Sequence, residues 1–146
     1  MVPTFVRIVP LLALLTAGAA CAAGTDAAPA DSGSASPSGR SYESTTVDGP
    51  QIPGNGPLRL TFGDPDRVSA NAGCNTLMGK ADLSGHTVRT GPLASTRMAC
   101  AGDRAGADDW ASALLQSAPS WSLDGETLTL KTAGHTVVLR ETKNAH

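Results

Sequence analysis

The sequence predicts an α+β domain, a mainly antiparallel sheet packed with one helix, and three observations carry that expectation. Apolar residues alternate along 58–62 and again along 67–72, on either side of Gly63-Asp64-Pro65-Asp66, which is the period-two pattern of a half-buried hairpin. Between 103 and 117 the period changes: Ala107, Trp110, Ala111, Leu114 and Leu115 recur at helical spacing and form one apolar stripe. Beyond Pro119 the strand pattern returns three times, punctuated by Asp124-Gly125 and Ala133-Gly134, residues that supply hairpin turns. Strands grouped on both sides of a lone helix predict a sheet covered by that helix, not a parallel α/β fold.

Taken in order, the chain opens with Arg7, an apolar run over 8–15 broken by Pro10, and small residues up to Cys21. That arrangement marks 1–20 as a signal peptide, and the run is too short to favour a permanent membrane span. Cys21 is the candidate lipid attachment, because the segment before it resembles a lipoprotein signal. Gly18 stands where such signals usually place a branched apolar residue. Ordinary cleavage at Ala20-Cys21-Ala22, leaving a free secreted protein, stays open. From 22 to 39 the composition is Ala, Gly, Ser, Pro and Thr with two Asp, too poor in apolar groups to offset its conformational entropy. Residues 21–39 are therefore expected to be a lipidated cysteine and a disordered tether, and 40–143 the folded domain.

Within that domain 40–47 reads as a strand, followed by a loop over 48–57 with three Pro and three Gly. Leu58, Leu60 and Phe62 should face inward from the next strand, and Val68, Ala70 and Ala72 from its partner. A weaker pair near 78–83 and 87–89 is joined by Ser84-Gly85-His86. Asp103 is placed to cap a helix running to about residue 117, with Gly106 weakening its first turn. The last strands are expected at 120–123, 127–131 and 136–140, where Trp121, Leu123, Leu128, Leu130, Val137 and Leu139 can share one face.

Between the first hairpin and the helix lie the residues with the most particular backbone demands, Gly73-Cys74-Asn75 and Thr96-Arg97-Met98-Ala99-Cys100. Gly73 allows a tight turn, and Asn75 tolerates left-handed backbone while its amide can bond to main chain. These two motifs resemble the signature of the META domain, the family of the bacterial heat-shock protein HslJ, over about residues 39–142. The resemblance implies a curved, barrel-like sheet with a helix and an association with heat shock and antibiotic tolerance. It implies no established reaction.

Cysteine arithmetic bears on the same motifs. Lipidation of Cys21 would leave two of the three cysteines, and Cys74 and Cys100 can pair in the oxidising space outside the membrane. Closing that loop of roughly 27 residues would stabilise the fold by about 3.5 kcal/mol in the chain-entropy model. Two buried, reduced cysteines are the other reading.

The formal net charge is −2 with no basic run, which argues against nucleic acid as a partner and against charge-driven lipid binding. Membrane association is expected through the lipid on Cys21, with an envelope protein as a further partner. His86, His135 and His146 have no metal-ligand spacing, no cofactor or phosphate motif is present, and no catalytic set emerges. Asp108 and Asp109 are expected on the solvated side of the helix start, where the dipole favours them. Arg97 with Thr96 could hold an anionic group, or Arg97 could simply project to solvent. Asn75 could present its amide to a ligand or bond to backbone. Trp110 and Trp121 could line a cavity, but both fall on expected core faces. The expectation for function is an exported, non-enzymatic binding or envelope-stress protein on the outer face of the cell membrane. The alternatives are a small-ligand carrier using the cavity of the curved sheet and a thiol-dependent enzyme acting through Cys74 or Cys100.

Overall fold

A computed structural model describes residues 35–143. The signal peptide, Cys21, the tether up to residue 34 and His146 lie outside the described residues. The fold is a curled antiparallel half-barrel with one helix. Its strands are β1 (Ser41–Asp48), β2 (Arg59–Gly63), β3 (Arg67–Asn71), β4 (Thr76–Asp82), β5 (Arg89–Thr90), β6 (Ala94–Ser95), β7 (Ser120–Asp124), β8 (Thr127–Lys131) and β9 (Thr136–Glu141), and the helix α1 is Ala107–Gln116. The strand order is β5-β4-β3-β2-β1-β9-β8-β7, with β6 paired to β4.

The alternation along each strand sets the core. Leu58, Leu60 and Phe62 are buried with Val68, Ala70 and Ala72 on the neighbouring strand, as the hairpin pattern requires, and Trp121, Leu128, Leu130, Val137 and Leu139 close the other half. Each fully buried Leu or Val removes enough apolar surface from water to contribute about 1.5–3 kcal/mol. A register shift between Ser44 and Thr46, where β1 meets β9, adds local twist and helps the sheet curl. The two ends of the curl meet: the Val88 amide donates to the Pro119 carbonyl at 2.8 Å, Thr87 bridges Ser120, and the Trp121 indole donates to the Leu83 carbonyl at 2.9 Å.

The helix lays Ala107, Ala111, Leu114 and Leu115 into the concave side of the sheet. Its start differs from expectation. Asp103 lies in a short 3-10 turn over Gly102–Arg104, and α1 begins four residues after Asp103, behind Gly106, whose φ of 91° is the left-handed conformation glycine adopts without strain. Gly106 thus sets the helix entry, not a weak first turn. Trp110 is half-buried, with its indole donating to the Pro50 carbonyl at 2.9 Å.

The domain also begins earlier than residue 40. Pro37 is fully buried, the Ser38 hydroxyl donates to Asp64 at 2.8 Å, and the Gly39 amide donates to the Phe62 carbonyl at 2.7 Å. One proline packed against the sheet and two hydrogen bonds are enough to order a segment whose composition alone predicts none.

Candidate functional site

The two motifs come together at one corner, and Asn75 is its centre. Strand β3 ends at Asn71, whose carboxamide organises the turn: its oxygen accepts from the Gly73 amide at 2.9 Å, and its nitrogen donates to the Cys74 carbonyl and the Thr76 hydroxyl, both at 3.2 Å. Gly73 takes φ of 115°, which a residue with a side chain rarely adopts. This turn delivers Asn75 to the interior at 5% exposure.

There the Asn75 side chain uses its full bonding capacity. Its oxygen accepts from the Met98 amide at 2.7 Å and the Thr96 hydroxyl at 2.9 Å. Its nitrogen donates to the Met98 carbonyl at 2.9 Å and to Asp108 Oδ2 at 2.7 Å, with Cys100 Sγ at 3.3 Å beside it. Two acceptor lone pairs and two N–H groups are all that a carboxamide owns. The Asn75 backbone amide adds a bond to Asp108 Oδ1 at 2.9 Å, so both carboxylate oxygens are engaged.

Asp108 is the residue that sequence reasoning placed wrongly. It was expected in solvent with Asp109. Instead the helix entry at Gly106 turns it toward the corner, where it is partly buried against Asn75, while Asp109 remains exposed. Asn71 was also missed, although an Asn two residues before a Gly is a recognisable side-chain turn.

Cys74 and Cys100 are joined by a disulfide with Cα atoms 5.9 Å apart, within the ordinary range for a bridge. Their sulfurs and an Asp108 oxygen all lie within 4.8 Å of one another, close enough to suggest a metal set. The sulfurs are bonded to each other, however, which removes two of the three ligands, and both Asp108 oxygens already accept from Asn75.

Thr96 and Arg97 do not act together. The Thr96 hydroxyl faces inward, accepting from the Thr76 amide at 3.0 Å while donating to Asn75, whereas Arg97 is exposed. Met98 is 63% exposed despite both of its backbone polar groups being held by Asn75. The corner therefore clamps the main chain of 94–98 against β4 and turns the Arg97 and Met98 side chains outward.

Elsewhere the candidate groups are engaged in packing. Trp121 is buried beneath His86, ring centroids 4.7 Å apart, and Trp110 meets His135 edge-on at 5.7 Å. The concave side of the sheet is filled by the helix and the strand side chains. Among the described residues no helix is long and apolar enough to cross a membrane.

Comparison with known proteins agrees with this architecture. The family model of the META domain matches residues 35–144. No curated protein matches the chain significantly. Among solved structures, an NMR structure of a protein from Burkholderia xenovorans is similar in fold, with a TM-score of 0.60 at 19% identity, covering 74% of this chain and 85% of that one. A second NMR structure is similar at 27% identity with a TM-score of 0.59, covering 73% of this chain and 94% of that one.

Proposed function

The chain belongs to the META domain family, and from that premise we propose that it is an exported, lipid-anchored binding protein with no reaction of its own. Its 94–98 segment would meet an envelope partner. One observation carries this reading: a buried asparagine uses three of its four side-chain hydrogen bonds on Thr96 and Met98, and the fourth on Asp108 of α1, to hold a segment whose Arg97 and Met98 side chains face solvent. Such bonding costs nothing in affinity when a partner arrives, because the segment is already ordered. A large exposed Met beside an exposed Arg is also the composition enriched at protein interfaces.

The same bonds weigh against catalysis at this corner, since the disulfide leaves no thiolate and Asp108 is held by two N–H donors. The filled concave side weighs against a carrier that uses the interior of the sheet.

A photo-crosslinking residue in place of Arg97, in the full chain in intact cells, tests the partner. The expected result is one dominant protein adduct, lacking when the crosslinker replaces the exposed Lys131 instead. Identical adducts from both positions would remove the reading. Mass spectrometry of the mature N-terminus tests the anchor: an acylated Cys21 is expected, and an unmodified Cys21 or Ala23 terminus would exclude it.

A further inference from the structure

The convex face of the sheet carries a groove that adjoins the corner at Ala94. It lies where β3 and β4 run beside residues 91–94, holds about 900 Å³, and is lined mostly by carbon from Pro65, Met78, Pro92 and Ala94. That volume falls within the range of roughly 300–1,000 Å³ typical of small-molecule sites. Strand register builds it in two rows. In one, Thr61, Ser69, Met78 and Ala94 stand side by side across four strands. In the next, Gly63, Arg67 and Lys80 are neighbours, about 7 Å away along the strands.

The second row is electrostatically unsatisfied. Arg67 and Lys80 are direct cross-strand partners, an arrangement of like charges that weakens a sheet. Among the described residues neither forms an ion pair, although four other Arg side chains do. Asp66 is the one acid on the lining, so the groove has a formal charge of +1 from two cations and one anion. Beside the cations, Met78 is left 46% exposed, a flexible, polarizable side chain suited to varied apolar shapes.

We propose that this groove binds a single amphiphilic monoanion, an acyl chain ending in a carboxylate, with its head between Arg67 and Lys80 and its chain along Met78, Pro92 and Ala94. The head group relieves the repulsion between the two cations. The chain covers the exposed methionine. A concave site of this volume admits one molecule, whereas a bilayer surface could meet only its rim. Of the groove lining only Ala94 belongs to the segment assigned to a partner, and amphiphile binding is read separately from partner capture.

The test is calorimetric titration of the full mature chain with monomeric decanoate, uncharged decanol and decyltrimethylammonium. Decanoate should bind one to one and at least tenfold more tightly than the other two. The double variant R67Q/K80Q should weaken decanoate binding by tenfold or more while leaving decanol unchanged, and Met78→Glu should weaken both. All three side chains face outward, so the variants should retain the wild-type melting temperature. If one does not fold, the salt dependence of the wild-type titration decides, because head-group pairing requires affinity for decanoate to fall with ionic strength. Equal binding of the three amphiphiles, or affinity indifferent to both charge removal and salt, overturns the proposal. Binding to anionic vesicles without binding to monomeric decanoate overturns it also, in favour of a membrane-facing surface.

Discussion

Replacing Asn75 by alanine would strip two donors and two acceptors from a site at 5% exposure, leaving the Met98 amide and carbonyl without their partner and the Asp108 carboxylate with the backbone N–H of residue 75 but not the side-chain donor. The expected loss is about 3–4 kcal/mol, because orphaned buried polar groups cost more than the bond itself is worth. Chemical unfolding measures it, and a loss below about 1 kcal/mol would mean that water replaces the amide without penalty. The sequence singled out Asn75 for the turn it makes with Gly73 and Cys74, and Thr96 as the neighbour of Arg97. It could not pair Asn75 with Asp108, since 33 residues separate them and no local pattern joins the end of a hairpin to the start of a helix. Tyr42 makes a different residue-scale case. Its hydroxyl is buried with no partner among the described residues, and burial raises the phenol pKa above 10.0, opposed in part by the nearby Arg40 charge. A raised acid pKa means that the neutral phenol is favoured in the fold. Its contribution is therefore whole below pH 10 and is lost as pH rises from there through the folded pKa. The chain has one tyrosine, so alkaline absorbance titration reads it directly, with a midpoint above 10 expected in the native protein and a return to the ordinary value in urea. Tyr42→Phe should be neutral or stabilising by about 1 kcal/mol. Destabilisation beyond that amount would reveal a bond to the hydroxyl.

Among the elements, the strands that alternate cleanly were legible, and β2, β3, β8 and β9 lie within a residue or so of their expected bounds. β6 was not, because two residues between Pro92 and the clamped segment carry no period; its pairing to β4 depends on partners distant in sequence. The helix start was misread for a related reason: Asp103 has the right chemistry for a cap, but α1 starts behind Gly106, whose left-handed backbone costs glycine nothing, so Asp103 lies too early to cap it. The disulfide joins these elements, tying the β3–β4 turn to the chain that leads into α1. Cys100→Ser should cost about 2–5 kcal/mol, the usual range for a native bridge in a small domain. Cys74→Ser and the double variant should cost about the same, since each removes one shared bond. Markedly additive single losses would contradict the bridge, as would two reactive thiols in denatured, unreduced protein.

For the molecule as a whole, the curl of the sheet around one helix fills the concave side, and the proposed recognition is therefore assigned to the outside. Composition foretold an α+β domain but not where it begins, because the burial of Pro37 is decided by tertiary contact and not by the character of its own segment. The central claim is that the corner is a clamp that presents residues 94–98 to a partner. Affinity capture from intact cells, with the full-length wild type beside the variant Arg97→Glu with Met98→Glu, tests it most directly. Both substituted side chains are exposed, so the fold and melting temperature should survive. The account predicts that one envelope protein recovered with the wild type is absent with the variant. Recovery of the same proteins by both would contradict it.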